Sequence, residues 1–250
     1  MEYFAFAAPT DTPMRKGIKK IDIACQECKS RGSSLFAGIC AHDLTSISQN
    51  KSCTQYKKGQ MLFHEGTRPL GVYCINAGKV KVYKIGHDGK EQIIHVASNG
   101  NLLGYRAMLS EESYPVSAET LEEATVCFVP KHDFLQVLDG SHELHDTLLK
   151  AACKELGVMA DNMTNMAQKS VRERLAVTLL MLRDTYGMDV ENGPIEINLT
   201  REDLANIVGT ATETLIRLLH DFKEEELIET KGRKIIVKQP DALVKVANIY

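Results

Sequence analysis

No apolar run in this chain approaches the roughly 20 residues a helix needs to cross a bilayer, so no membrane span is expected. The first ten residues, Met1–Thr10, include Phe4, Ala5, Phe6, Ala7 and Ala8 but no basic stretch before them, and so make a poor secretory signal. A cytoplasmic location is the expectation. Paired carboxylates at catalytic spacing, a nucleophile elbow, a phosphate-binding glycine loop and a His-rich metal motif are all missing, which argues against an enzyme. Excess positive charge is missing too. The net charge is −3 overall, and residues 170–250 hold 11 Lys and Arg against 14 Asp and Glu. Any nucleic-acid contact must rest on locally concentrated charge and be salt-sensitive. An even cysteine count is also lacking. Seven cysteines in a cytoplasmic chain argue against a disulfide framework and for buried thiols, metal ligation or redox use.

What is present points to two domains in 250 residues. Residues 1–50 open as a loose arm to residue 24, followed by Cys25-Gln-Glu-Cys28 and one short helix at His42–Asn50. Residues 51–138 change to period two. Short β-rich runs, Met61–Phe63, Val72–Ile75, Val80–Tyr83, Gln92–Val96 and Thr125–Val129, alternate with glycine turns. Asp88-Gly89 between two of them is a hairpin signal. So many short strands predict a small antiparallel barrel or jelly roll.

Residues 139–168 read as one long helix. Leu149, Ala152, Leu156, Met159, Met163 and Met166 recur at spacings of 3, 4, 3, 4, 3, an a/d seam with no charge in it. The regular seam predicts a two-stranded dimer interface; a helix lying on its own barrel is the alternative. Residues 169–250 begin with a capping box, Ser170-Val-Arg-Glu173, and a helix through Leu182. Asn192-Gly-Pro194 then turns into a strand at Ile195–Leu199. In residues 199–220, Thr200 caps a helix whose Leu204, Ala205 and Val208 form an apolar face. Gly209 supplies a left-handed turn. Leu215, Leu218, Leu219 and Phe222 set a second helix, leaving Thr212, Glu213 and Arg217 pointing away. This is a helix-turn-helix, whose second helix offers its N-terminal side chains to a DNA groove. Leu227–Val237, broken by Lys231-Gly-Arg-Lys234, reads as a hairpin wing with positive charges where phosphates would meet it.

Barrel, long helix and winged helix-turn-helix, in this order, resemble the CRP/FNR family of bacterial transcription regulators from about Cys25 to Val237. The residues that carry the likeness best are Thr200–Ala205, Val208-Gly209, Glu213-Thr-Leu215, Arg217-Leu-Leu219 and Lys231-Gly-Arg233. The resemblance implies an α+β chain: a cyclic-nucleotide-binding-like barrel, a dimer helix and a winged domain. It also implies a homodimer on double-stranded DNA with a pseudo-palindromic site, and RNA polymerase as a further partner. Base reading falls to Glu213, which accepts from cytosine N4, and Arg217, which donates to guanine O6 and N7. Glu213 as a capping-box partner of Thr210 is the alternative. Thr212 and Ile216 stand where other members carry outer base contacts, so a shifted outer preference is expected. Thr200, Arg201, Lys231 and Arg233 are the expected backbone contacts.

Members that bind cAMP place a glutamate and an arginine where this chain has Tyr105 and Val116; only Ser117 remains, so no cAMP response is expected. FNR-like members hold a [4Fe–4S] cluster on three closely spaced N-terminal cysteines and one in the barrel. Cys25, Cys28 and Cys127 match. The third arm ligand falls at Ser33 or Ser34, and Cys40 could replace it only if the segment folds differently. Four thiolates are the usual requirement. An iron–sulfur sensor of oxygen or redox state is the favoured expectation, with a thiol or disulfide switch on Cys25, Cys28 or Cys127 next. Cys53, Cys74 and Cys153 are read as small core residues. His64, His87 and His95 are read as ordinary histidines in preference to haem ligands.

Overall fold

The computed structural model describes residues 19–187 and 195–249. The Met1–Thr10 reading and the Asn192–Pro194 turn lie outside them.

Alternating side chains and positive-φ glycines such as Gly78 and Gly89 produce short antiparallel strands that turn back on themselves. The strands are β1 (Lys19–Ile21), β2 (Ser52–Tyr56), β3 (Met61–Phe63), β4 (Gly71–Ala77), β5 (Val80–Ile85), β6 (Glu91–Ala97), β7 (Leu102–Leu103), β8 (Ser117–Thr120) and β9 (Ala124–Pro130). They form a five-stranded sheet, β1-β2-β9-β4-β7, and a four-stranded sheet, β3-β8-β5-β6. Ile75, Val82, Ala118 and Val126 fill the space inside. Part of the expected loose arm is thus an edge strand, with Ile21 paired to Cys53.

The outer face of the larger sheet is also apolar. Val72 and Val129 pack there against Ile47 of α1 (Ala41–Asn50), Phe134 of α3 (Lys131–Gly140) and Leu148 of α4 (His142–Gln168). A short helix, α2 (Tyr105–Leu109), lies between β7 and β8. The long helix begins later than the periodicity suggested. Ser141 interrupts it, its Oγ accepting from Leu144 N at 3.2 Å, so that α3 and α4 are separate.

The winged domain comprises α5 (Val171–Gly187), β10 (Glu196–Asn198), α6 (Arg201–Val208), α7 (Thr212–Glu224), β11 (Ile228–Lys231), β12 (Lys234–Val237) and α8 (Pro240–Val246). The Ser170–Glu173 capping box closes as expected: Ser170 N donates to Glu173 Oε2 at 2.7 Å and Glu173 N to Ser170 Oγ at 3.3 Å. The domain is docked on the barrel. Tyr83, Ile93 and Val96 share one apolar cluster with Leu175, Leu204 and Leu215. Beside that seam Lys81, with a side chain only 9% exposed, sends its ammonium to Glu91 at 2.8 Å, to Asp203 of α6 at 3.3 Å and to Glu119 at 3.8 Å. Gln92 Nε2 donates to the Asn206 carbonyl at 2.6 Å.

Candidate nucleic-acid interface and sensor site

Helix α6 starts where Thr200 Oγ1 accepts from Asp203 N at 2.9 Å and stops where Gly209 turns left-handed at φ 71°. Arg174 of α5 secures that turn by donating to the carbonyls of Val208 at 3.0 Å and Gly209 at 3.2 Å. Helix α7 then buries Leu215, Leu219 and Phe222, while Leu218 is only half-buried. Its opposite face carries Glu213, Ile216 and Arg217 exposed, with Thr212 half-buried at the first turn. Ala211 is the N-cap and no side chain caps the helix, so Glu213 is not bonded as a capping-box partner of Thr210. Arg217 reaches Thr214 Oγ1 at 3.4 Å.

The expected backbone contacts divide. Arg233 is exposed at the tip of the β11–β12 wing. Lys231 lies beside it but is paired with Glu229 at 3.0 Å. Arg201 donates to the Gly232 carbonyl at 3.0 Å and points to that of Arg233 at 3.4 Å, so it braces the wing. Thr200 is occupied by its cap.

The residues expected to form a seam lie along helix α4. Leu149, Leu156 and Met163 are 65%, 66% and 73% exposed, an apolar stripe left uncovered by the described residues. Ala152 is half-buried. Met159 stands 3.9 Å from an Arg106 nitrogen, and Met166 packs so close to the α6–α7 turn that a Cβ on Gly209 would meet its methyl at 2.9 Å. These two seam residues therefore also touch the barrel and the winged domain.

Between α4 and the barrel lies a cavity of about 340 Å³, lined by Phe63, Leu103, Tyr105, Tyr114, Val116 and Val158 among others. Tyr105 hydroxyl donates to Glu155 Oε1 at 2.8 Å, and the same carboxylate pairs with Arg106 at 3.4 Å. Burial and that carboxylate raise the Tyr105 phenol above its ordinary range. Ser117 Oγ accepts from Glu65 N at 2.9 Å.

The cysteines bring the main correction. Cys127, expected as a free cluster ligand, is disulfide-bonded to Cys53, which was expected as a free core residue. Antiparallel register sets the two directly opposite, Cα to Cα 3.9 Å, although 74 positions separate them in sequence. Cys74 is the register partner of Cys127 on its other side. Ile21, Cys53, Cys127, Cys74 and Leu102 thus form one row across the outer face of the five-stranded sheet. Cys25 and Cys28, in a single 3-10 turn, lie over this face. Asn76 Nδ2 donates to Cys28 Sγ at 3.1 Å, and Ser30 Oγ to the Asn76 carbonyl at 2.5 Å. Cys25 and Cys74 pack against the same apolar layer. Burial pushes the Cys74 thiol up to about 12 and also raises Cys25, which Lys51 partly offsets.

Neither serine of the arm serves here: Ser33 and Ser34 donate to the carbonyls of Ser30 at 3.1 Å and Arg31 at 2.8 Å. Cys40 is exposed as the N-cap of α1, its Sγ accepting from Asp43 N at 3.5 Å, and stands outside the cysteine row. Cys153 is exposed on α4, not in a core. Among the described residues no three His, Cys, Asp or Glu side chains are close enough to hold a single metal ion. A cluster of several irons spaces its thiolates farther apart, and the donor chemistry of Cys25, Cys28 and Cys127 suits it once Cys127 is reduced.

The chain matches two family models, a cyclic nucleotide-binding domain over residues 53–141 and a Crp-like helix-turn-helix domain over residues 173–246. It is 29% identical over 245 residues to the fumarate and nitrate reduction regulatory protein of Yersinia pestis, covering 94% of this chain and 96% of that one. It is 26% identical over 225 residues to the transcriptional activator protein Anr of Pseudomonas protegens, covering 89% and 92%. The solved structure of FixK2 from Bradyrhizobium japonicum superposes with a TM-score of 0.70 at 22% identity, over 78% of this chain and 96% of that one. The barrel, the docked helix-turn-helix and these likenesses together make the chain a DNA-binding transcription regulator of the CRP/FNR family.

Proposed function

We propose that the chain works in the cytoplasm as a homodimer on a pseudo-palindromic DNA site, with RNA polymerase as a further partner. Oxygen or redox state is its signal, read through an iron–sulfur cluster, and cAMP is not. The observation that carries the DNA reading is the free first turn of α7. Glu213 and Arg217 are exposed one turn apart, and neither is bonded as a cap. Thr212 and Ile216 flank them and set the outer bases. Thr200, Arg201, Lys231 and Arg233 set the approach to the phosphates, Arg201 by holding the wing. The exposed apolar stripe on α4 supports the dimer, and two-fold symmetry sets the half-sites about one helical turn apart. Against cAMP stand Tyr105 and Val116 in the cavity and an Arg106 already paired with Glu155.

The test is a footprint on the DNA upstream of the protein's own gene, run under nitrogen and in air. A two-fold protected site that weakens in air supports the reading. Equal binding in both conditions refutes the redox signal, and absence of any sequence-specific footprint refutes the DNA assignment. The Cys53–Cys127 disulfide favours a second reading, a thiol switch without metal, in which a dithiol alone would restore air-weakened binding.

A further inference from the structure

The arm provides two thiols toward a cluster, Cys25 and Cys28, and the barrel provides Cys127. Among the described arm residues, Ser33, Ser34 and Cys40 do not complete the set, because all three are turned to local backbone. The sheet offers a fourth thiol instead. Cys74 is free, lies one strand from Cys127 in direct register, and points to the same face. Two residues along β4, where the strand bulges, Asn76 Nδ2 donates to Cys28 Sγ at 3.1 Å and so ties the arm sulfur to the strand that carries Cys74.

We propose that Cys74 replaces the missing arm ligand, so that Cys25, Cys28, Cys74 and Cys127 form the four-thiolate set of a [4Fe–4S] cluster. This rests on the cluster reading above. Each thiol gives up its proton as it binds iron. Cys127 must first leave Cys53: a dithiol delivers two electrons and two protons, the S–S bond opens to two thiols, and the dithiol closes to its own disulfide. Cys127 therefore has two alternative partners, Cys53 when oxidised and the cluster when reduced. A protein with that disulfide intact cannot be loaded.

The full chain is reduced with dithiothreitol, freed of it, and reconstituted under nitrogen with ferrous iron and sulfide. Iron, sulfide and visible absorption are then measured per chain. Cys25→Ser, Cys28→Ser, Cys74→Ser and Cys127→Ser should each lose the cluster, whereas Cys40→Ser and Cys153→Ser should match the parent. Cys53→Ser should load without prior reduction. Cys74→Ala, which keeps the packing apolar, backs up the serine variant, and circular dichroism establishes that each is folded. If the parent loads and either folded Cys74 variant holds as much iron and sulfide with the same spectrum, Cys74 is not a ligand although the cluster reading stands. If the reduced parent takes up no iron and sulfide, the cluster reading itself fails and this assignment with it.

Discussion

Replacing Lys81 by Met tests whether the winged domain is docked on the barrel in solution. The ammonium lies 2.8 Å from Glu91, 3.3 Å from Asp203 and 3.8 Å from Glu119. Methionine keeps the stem's packing and leaves three carboxylates facing one another. Deleting one partner of a fully buried pair costs ~3–5 kcal/mol, and because these carboxylates are partly wet about 2 kcal/mol is expected here. The contact that crosses the domain boundary is Lys81–Asp203. Its raw Coulomb attraction at 3.3 Å is about 5 kcal/mol at an effective dielectric near 20, and desolvation offsets most of it. A net coupling of about 1–2 kcal/mol remains. Asp203 also bonds Thr200 Oγ1 at 2.5 Å, so Asp203→Asn alone loses more than the coupling. A double-mutant cycle subtracts that part. Hydrogen exchange of the α6 amides is the assay, because the readout must be local in a two-domain chain. Each single variant should lower α6 protection, and the double should fall short of the sum by roughly 5–30-fold. The coupling should hold across neutral pH. The carboxylates outweigh burial and raise the Lys81 pKa, so the stabilisation is complete below the unfolded value of about 10.4 and fades only as pH climbs through the folded one. Strict additivity, or α6 exchange unmoved by Lys81→Met, would refute the docking.

Three further outcomes follow from the same geometry. Arg217→Ala should weaken specific DNA binding by about 1–3 kcal/mol per half-site, measured by gel shift at fixed salt, and specific binding equal to the parent's would remove Arg217 from the reading face. Met163→Asp should set like charges across the α4 stripe and favour the monomer in sedimentation. Met159 is the poorer probe because Arg106 stands beside it, and a mass unaltered by the Met163 change would place the dimer elsewhere. Arg233→Ala should weaken binding to all sequences alike and lower the salt slope by roughly one unit, whereas Arg201→Ala should also loosen the wing carbonyls it holds; identical effects from the two would contradict the bracing role.

Several features that depend on a few neighbouring residues were legible in the sequence, although the Ser141 cap that starts α4 was not. Thr200 with Asp203, Ser170 with Glu173, the left-handed Gly209 and the Asp88-Gly89 hairpin each combine a residue type with a spacing, and each forms as read. Spacing alone could not show contacts made across strands. Cys53, Cys127 and Cys74 fall in one row only because β2, β9 and β4 are adjacent and share a register, and the order of strands in a sheet is not written in any one of them. The same limit hid the Lys81–Asp203 contact and the bracing of the wing by Arg201. It also explains why the arm looked deficient. A ligand motif read along the chain counts Cys25 and Cys28, then meets Ser33 and Ser34 and stops. The fold lays that arm on a sheet face carrying three more cysteines. The relevant count is therefore of the cysteines on that face, where Cys127 is bonded to Cys53 and Cys74 is free.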